Sequence, residues 1–489
     1  MSNSPDFHAD LTPRPPIGVN SLGVSVCVVC FQTLSDQSHP AWRNRLSIVD
    51  AFRHTGGVKA LTSESDWKTL LSHLPENFEQ LAIEHRLLNP QWPNLKVKSA
   101  EVLLRLILLH AGADLPLRQT VAIVAQSGGP CVTQVWLHQK MRHAHRYLAT
   151  LIACMTVDVE REASPERWAG YEMLGLDATT LSGPGAEGID ARIHATLRLH
   201  DLRICEVHVT DATGGETLRR FGWMAGQLAI VDRGYSNAPG ILHVVDQGAD
   251  VLARLNRGAL PLYDDEDGVI DPLEWCRHLS GHRVEERAAR IAHGEGRARR
   301  VLRGRLIGVR LPDKEAQEAR ARVRREHGRN VTDEQLEAAQ YVMLFTTVPS
   351  SRLSASRCTD AYRLRWQIEL QWKRWKSLCH FDRLPNYRDD TILSWLTAKV
   401  LLGLLLERIG SVGLLASTNP LARQPWKVTA IVWPLIVAAL LPLRLAQAAD
   451  RLPAIADHLD LLDGEVELAA RQVPVFRKRY PPTPAQPRP

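Results

Sequence analysis

Cysteine is scarce in this chain, with eight residues scattered over 489 positions. The one close pair is Cys27-Val-Val-Cys30, and a structural zinc site needs four suitably spaced ligands, which the neighbouring sequence does not offer. We therefore expect these two cysteines to be apolar filler. Scattered thiols of this kind fit the reducing cytoplasm, where we expect the protein to act.

Long apolar runs are also lacking. Residues Leu22–Phe31 follow a single basic residue, Arg14, and make a poor signal peptide. Residues Val428–Leu443 are uncharged and almost wholly apolar, but the run is short for a membrane span and is interrupted by Pro434 and Pro442. We expect a buried helical hairpin at this second run and no membrane partner.

Charge is nearly balanced over the whole chain but not locally. The chain has 60 Lys and Arg against 54 Asp and Glu, a net charge of +6. Between Arg277 and Asn330, fifteen Arg and one Lys stand against six Glu and one Asp, so that 16 − 7 gives +9. Such localised charge favours contact with phosphates. The alternative is a solvated surface rich in salt bridges, because seven acids are mixed in.

Four polar side chains share one narrow stripe if the segment from Tyr362 to Lys376 is a single α-helix. At 100° per residue, Arg365, Glu369 and Lys376 fall within about 60° of Tyr362. Three apolar residues would lie together on a separate, core-facing side: Leu364, Ile368 and Trp375. A carboxylate beside a phenol, a guanidinium and an ammonium suits a site where a metal-bound acid meets a polyanion such as DNA. The alternative is a solvated helix face with an Arg365–Glu369 ion pair.

Two apolar runs upstream each end in an aspartate. Met173-Leu-Gly-Leu-Asp177 and Gly226-Gln-Leu-Ala-Ile-Val-Asp232-Arg-Gly-Tyr235 both have the character of buried strands that deliver an acid at the C-terminal end. Alone, an aspartate at a strand end is more often a turn former. Together with the downstream spacing Tyr-x2-Arg-x3-Glu-x6-Lys, these segments resemble the transposases of bacterial insertion sequences of the "insertion sequence four" group, which cut DNA with an Asp-Asp-Glu triad.

The resemblance implies an α/β, ribonuclease-H-like catalytic domain, and the predicted elements follow a matching order. After the Asp177 strand come strands at Ala191–Leu199 and Ile204–Thr210, a helix at Gly215–Trp223, the Asp232 strand, a helix or turn at Asn237–Gln247 and a strand at Ala249–Leu255. The catalytic helix should follow directly, but Asp232 and Glu369 are 369 − 232 = 137 residues apart. The sequence therefore predicts an insertion in between.

The insertion contains its own predicted elements. These are strand-like runs at Arg283–Ile291 and Ala298–Leu311, a charged helix at Asp313–His327 and a returning strand at Tyr341–Thr347. In the resembled family a mostly β insertion occupies this place and helps to hold the DNA end. We expect the following regions: a disordered leader, 1–40; a helical region, 41–165; the catalytic domain, 166–256 and 346–410; the basic insertion, 257–345; and a helical C-terminal region with a loose Pro-rich tail, 411–489.

The amino-terminal region shows helical periodicity at Lys98–Ala111, Leu115–Gln126 and Val132 to about Thr156. Ser127-Gly-Gly-Pro130 makes a tight joint between the last two helices. The pair resembles a DNA-binding helix-turn-helix, and a plain helical bundle remains the alternative. The candidate groove contacts are Thr133, Gln134, Trp136, Gln139 and Lys140.

The resemblance also implies roles for single residues. Asp177 would bridge two Mg²⁺ or Mn²⁺ ions, with Asp232 and Glu369 each completing one coordination sphere. The phosphates of the DNA end would be clamped by the other members of the signature, Tyr362, Arg365 and Lys376. Trp366 or Tyr341 could stack on an unpaired base, and core packing is equally open for both.

The implied activity is cleavage at the ends of the insertion sequence and joining of those ends to target DNA. The partners would be double-stranded DNA and a second copy of the chain, with the protein at the bacterial nucleoid when bound. Two alternatives remain: a catalytically silent or domesticated protein that binds element ends, and a ribonuclease-H-like nuclease without strand transfer. The chain departs from the family at two places. Ala178-Thr179 follows the first acid, and Trp372 stands just downstream of Glu369 where phenylalanine is common. Neither departure touches a proposed ligand.

Overall fold

The computed structural model describes residues 63–440, except 90, 93–95, 162–167, 184–187, 189, 386–388 and 417–424. The expected leader 1–40, the Cys27/Cys30 pair and the Pro-rich tail after Tyr480 lie outside these residues. The described residues form a mixed α/β structure around one large sheet. No helix among them is long and apolar enough to cross a membrane.

Helices precede the strands in the chain, connect several of them and follow the last one. Their bounds are α1 Ser63–Leu71, α2 Phe78–Glu84, α3 Ala100–Gly112, α4 Leu117–Gln126, α5 Gln134–Arg161, α6 Ala238–Asp246, α7 Pro272–Arg277, α8 Asp313–His327, α9 Asp333–Ala338, α10 Ala355–Leu364, α11 Trp366–Cys379, α12 Asp389–Ala416 and α13 Pro425–Leu440. The predicted joint between α4 and α5 is confirmed.

Ten strands form the sheet in the order β3-β2-β1-β4-β5-β10-β9-β8-β6-β7. Their bounds are β1 Glu172–Leu181, β2 Ala191–Arg198, β3 Arg203–Asp211, β4 Gln227–Val231, β5 Asp250–Arg254, β6 Leu262–Tyr263, β7 Val269–Ile270, β8 Glu285–His293, β9 Arg300–Arg310 and β10 Tyr341–Thr346. β1, β2 and β3 are antiparallel neighbours, whereas β1, β4 and β5 run parallel.

The strands near the middle of the sheet are apolar because both faces are covered. Every residue of β4 is buried, as expected for a parallel strand between two layers. The predicted helix at Gly215–Trp223 is wrong: only a 3₁₀ turn forms there, at Leu218–Arg220. Gly215 and Gly222 are poor helix formers. In addition, Trp223 Nε1 donates to Leu218 O at 3.1 Å, so this carbonyl accepts from a side chain where an α-helix would supply the backbone amide four residues on.

The basic insertion does not form a sheet of its own. Its strands β6 to β9 extend the central sheet, and β10 pairs with β5 on one side and β9 on the other. The predicted strands and the helix Asp313–His327 are confirmed. Part of the basic charge is neutralised locally, since Arg300 pairs with Asp246 at 2.5 Å and Arg299 with Asp267 at 3.0 Å. The salt-bridge alternative therefore describes some of these arginines.

The segment predicted as one helix from Tyr362 to Lys376 is divided at Arg365 into α10 and α11. Arg365 keeps helical dihedrals, φ −53° and ψ −30°, but Arg365 N bonds to Tyr362 O and Ile368 N to Arg365 O, which is a tightened three-residue turn. This changes the phase of the helix. Leu364 is therefore 38% exposed instead of facing the core, whereas Ile368 and Trp375 are buried as predicted.

Helix α12 holds α11 against the rest of the molecule. Gly403 of α12 lies under the Trp375 indole, where a Cβ atom would come within 2.7 Å of the ring. At the end of α11 the Lys399 ammonium, fully buried, donates to the carbonyls of Cys379 and His380 at 3.0 and 3.2 Å. These carbonyls have no partner within the helix, so Lys399 acts as a C-terminal cap.

Candidate active site

The parallel strands bring two acids and a base to the same level of the sheet. Leu176 is in register with Val231, and Val231 with Ala253. The next residue on each strand is Asp177, Asp232 and Arg254, respectively. Because parallel strands share one direction, these three side chains leave neighbouring strands at the same edge of the paired region.

Asp177 lies inside β1 and not at its end, because β1 continues to Leu181. The sequence prediction of a strand end is wrong at this position, since β1 stays paired with antiparallel β2 after its parallel pairing with β4 has stopped. Asp232, in contrast, directly follows the last residue of β4, as predicted. Both positions point a carboxylate to the place where the sheet meets α11.

Burial raises the pKa of Asp177 to about 7, with Glu369 and Asp232 adding to the rise and Arg365 opposing it. For Asp232 burial also acts upward, but Arg365, the Arg233 backbone amide, Arg254 and Tyr362 together hold its pKa below the ordinary value. The two aspartates thus differ in affinity for a proton. At a pH between these two pKa values, Asp232 is ionised and Asp177 is protonated.

Arg365 lies among the three carboxylates. Its Nη2 atom donates to Glu369 Oε1 at 2.5 Å and lies 3.8 Å from Asp232 Oδ2, while Nη1 lies 4.0 Å from Asp177 Oδ1. The residue is only 6% exposed. The i,i+4 ion pair with Glu369 that the helical spacing allowed is therefore present, and the same guanidinium also faces both aspartates.

The other members of the signature surround this cluster. Tyr362 Oη donates to Asp232 Oδ1 at 3.0 Å, and burial, with Asp232 next in importance, raises its pKa to about 12. Lys376, half-buried, donates from Nζ to Thr180 O at 3.1 Å. Trp366 is 44% exposed, with Lys373 Nζ 4.3 Å from its ring centroid. Tyr341, the other stacking candidate, is buried in β10, which favours core packing.

The donor chemistry of Asp177, Asp232 and Glu369 fits a hard divalent cation, because all three offer carboxylate oxygens. Their shared orientation toward one guanidinium shows that a positive charge is accommodated between them. Arg365 supplies that charge here. Among the described residues no three acidic, histidine or cysteine side chains are grouped closely enough to hold a metal ion, so these carboxylates would have to rearrange to bind one.

Two charged residues of the site escaped the sequence analysis. Arg254 is the last residue of β5, and the same argument from strand ends that identified Asp232 could have identified it. Its buried Nε atom has no hydrogen-bond partner among the described residues. Glu216 lies against Gly234, where a Cβ atom would come within 1.8 Å of its Oε2 atom. A side chain at position 234 would therefore displace the Glu216 carboxylate from its place beside the Asp232 turn.

The helix-turn-helix candidates divide into two groups. Thr133, Gln134 and Gln139 are exposed around the start of α5. Trp136 and Lys140 are half-buried and contact each other, with Lys140 Nζ 5.7 Å from the Trp136 ring, and Lys140 also donates to Leu87 O. The first group is open to a partner, whereas the second contributes to packing between helices.

Comparison with known proteins gives consistent results. A family model described as "Transposase DDE domain" matches residues 168–404. The transposase InsL of insertion sequence element IS186A from Escherichia coli K12 is 30% identical over 352 residues, which cover 71% of this chain and 94% of that protein. The transposase of insertion sequence element IS421 from Escherichia coli is 30% identical over 353 residues, with the same two shares.

Among solved structures, the chain is similar to a piggyBac transposase in a synaptic complex with hairpin DNA. The identity is 8% and the TM-score 0.40, covering 77% of this chain and 79% of that one. The family match begins just before β1 and ends within α12, so that it contains all three carboxylates. The two relatives are matched over nearly their whole length. The chain therefore belongs to the DDE transposases of insertion sequences, and these transposases are metal-dependent enzymes that cleave DNA.

Proposed function

We propose that this transposase cuts DNA at the ends of its own insertion sequence and joins those ends to target DNA, with Asp177, Asp232 and Glu369 as its catalytic carboxylates. The observation that supports these residues most is their approach to one cation, the Arg365 guanidinium, within 4.0 Å. An acid within β1, an acid that directly follows β4 and an acid of α11 thus face the same guanidinium.

Two Mg²⁺ or Mn²⁺ ions held by these carboxylates would activate water or a DNA 3′-hydroxyl and stabilise the leaving oxygen. The chain's own contribution is to present ionised oxygens at a fixed spacing. Asp232 is held ionised by its basic neighbours, and Asp177 must lose its proton before it can act as a ligand. Tyr362, through its hydrogen bond, fixes the orientation of the Asp232 carboxylate.

Phosphate binding is proposed for the basic members of the signature. Lys376 reaches the end of the sheet beside Asp177, and Trp366 presents an exposed indole on the same helix. Arg365 would turn from the carboxylates to a phosphate when DNA is bound, since a guanidinium forms bidentate contacts with either group. Exposed Arg322, Arg324 and Arg325 on α8 would extend the contact along the DNA backbone.

The order β3-β2-β1-β4-β5, with the acids on β1 and after β4, supports a ribonuclease-H-like core. The spacing Tyr-x2-Arg-x3-Glu-x6-Lys supports membership of the "insertion sequence four" group. We also propose a homodimer in the DNA complex, since two element ends must be cut and joined together.

The helices α4 and α5 are proposed to bind the element ends through their exposed residues. The competing function is a silent protein that binds ends without cutting them.

A supercoiled plasmid that carries the element's own ends tests this function. Full-length protein with Mg²⁺ should cut at the ends and then join them to a target, and both products are measured on sequencing gels. End binding without cleavage would identify the silent DNA-binding protein. Cleavage without joining, or cleavage unrelated to the ends, would identify a nuclease of the same fold.

A further inference from the structure

Arg365 has an unusual environment for an arginine of the candidate site. The residue is only 6% exposed, and its guanidinium faces three acids. Two of its nitrogens, Nε and Nη1, have no hydrogen-bond partner among the described residues. A buried guanidinium normally uses its donors in full, so this one is held by charge more than by directed bonds.

We propose that Arg365 is an internal counter-ion that occupies the metal position of the DNA-free enzyme, and that DNA phosphate withdraws it so that divalent ions bind only when DNA is present. The inference rests on the proposed function, since it takes the three carboxylates to be the metal ligands. It adds an order of events: DNA first, metal second. A transposase regulated in this way does not carry loaded metal in the absence of its substrate.

The charges favour such an exchange. Arg365 Nη2 lies 2.5 Å from Glu369 Oε1 and 3.8 Å from Asp232 Oδ2, so an ion held by these two carboxylates would stand close to the guanidinium. Two cations close together repel each other strongly in a buried site. A phosphate offers the guanidinium an equivalent bidentate partner, so the exchange replaces one set of charge-assisted contacts with another.

The position of Arg365 in the chain also permits the exchange. It stands in the tightened turn between α10 and α11, where the backbone is already helical on both sides. Only the side chain has to rotate. Because the ligand affinities of the two states differ, DNA and metal should raise each other's affinity by the same factor.

Manganese titration of the full-length protein without DNA tests the proposal, with bound Mn²⁺ measured by electron paramagnetic resonance at about pH 8. We expect Arg365→Gln to bind Mn²⁺ at least roughly tenfold more tightly than the wild type. Arg365→Lys, which keeps the charge, should stay close to the wild type. Arg363→Gln is the matched control, because Arg363 lies two residues away with an 83% exposed side chain.

A mixed-sequence DNA duplex at low salt then provides the second arm. Adding the duplex should raise the Mn²⁺ affinity of the wild type and leave that of Arg365→Gln nearly unchanged. The same titration of Asp232→Asn measures the ions held by the DNA itself. If the wild type and Arg365→Gln bind Mn²⁺ equally well without DNA, the inference is overturned. The proposed metal site still stands in that case if DNA-dependent Mn²⁺ binding is lost in Asp232→Asn. Tight binding to Arg365→Gln that survives Asp232→Asn would overturn both. Melting curves identify a variant that has not folded. The wild type alone then decides, because Mn²⁺ affinity that does not rise when the duplex is added overturns the inference.

Discussion

Lys399 Nζ lies 2.6 Å from Asp114 Oδ1 in the interior of the protein, where the lysine has no exposed surface. Asp114 comes from the turn between α3 and α4, and its other oxygen lies 3.1 Å from His380 Nδ1. The ion pair therefore connects the amino-terminal helices to the end of α11, the helix that carries Glu369. Burial lowers the pKa of Lys399 and Asp114 opposes this change.

Replacement of Lys399 by Met should destabilise the protein by about 3–5 kcal/mol, because half-buried Asp114 would lose its cation and the carbonyls at the end of α11 would lose their donor. Urea unfolding followed by circular dichroism measures the difference. Lys373→Met is the control, since Lys373 is exposed on α11 and should change stability by less than about 0.5 kcal/mol. Equal midpoints for the two variants would show that the buried pair does not hold the helix.

The periodicity of the sequence was enough to predict most elements of the fold. Asp313–His327 was predicted with both ends correct, because its acids precede its bases and a glycine follows. The predicted helix Gly215–Trp223 was wrong because Gly215 and Gly222 weaken its helical pattern, and a local side-chain bond from Trp223 to the Leu218 carbonyl takes the place of a helical backbone bond. Sheet order is set by pairing between distant segments and has no local signal.

The sequence proposed the members of the candidate site but could not give their arrangement. Spacing on a helix placed Arg365 beside Glu369, and the structure confirms that pair. It could not show that Arg365 is buried and faces Asp177 and Asp232 as well, because those contacts join residues more than 130 positions apart. The position of Arg254 at a strand end could have been predicted, but its place beside Asp232 depends on the register of β4 and β5.

Removal of any triad carboxylate should abolish strand cleavage while end binding remains. Asp177→Ala, Asp232→Ala and Glu369→Ala each remove a ligand on which metal-assisted charge stabilisation depends, so the rate should fall by several orders of magnitude. Cleavage of end-containing plasmid and gel-shift binding are measured side by side. Asp360→Ala, which changes an exposed acid of α10, should cut normally. A triad variant that cuts at near the wild-type rate would remove that residue from the site.

The pKa of Asp177 predicts a pH dependence of stability in metal-free protein. Its folded pKa, raised by burial from 3.8 to about 7, means that the folded chain binds the proton more tightly than the unfolded chain. The stability from this proton is fully present below about pH 4 and is lost as the pH rises through about 7. Asp177→Asn should therefore be more stable than the wild type at about pH 8, by at most ~4 kcal/mol.

Unfolding midpoints across this pH range check the prediction. The wild-type and Asp177→Asn curves should coincide near pH 4, separate as the pH rises to about 7 and run parallel above it. The same proton competes with metal, so Mn²⁺ binding to the DNA complex should weaken as the pH falls below about 7. Parallel stability curves at all pH values would mean that Asp177 ionises without cost and is better solvated than its burial indicates.

Lys376 and Arg365 should differ in how they affect binding to cut ends. If Lys376 meets a phosphate, Lys376→Ala should weaken binding and reduce the slope of log affinity against log salt by about one. Its bond to the Thr180 carbonyl is a single surface contact, so the melting temperature should change little. Arg365→Ala should reduce the slope similarly but also lower the melting temperature, since three carboxylates lose their counter-ion. Lys68→Ala, an exposed lysine of α1, serves as the control with an unchanged slope. If the slopes of both site variants match that of Lys68→Ala, the two residues belong to the structure of the helix and do not hold DNA.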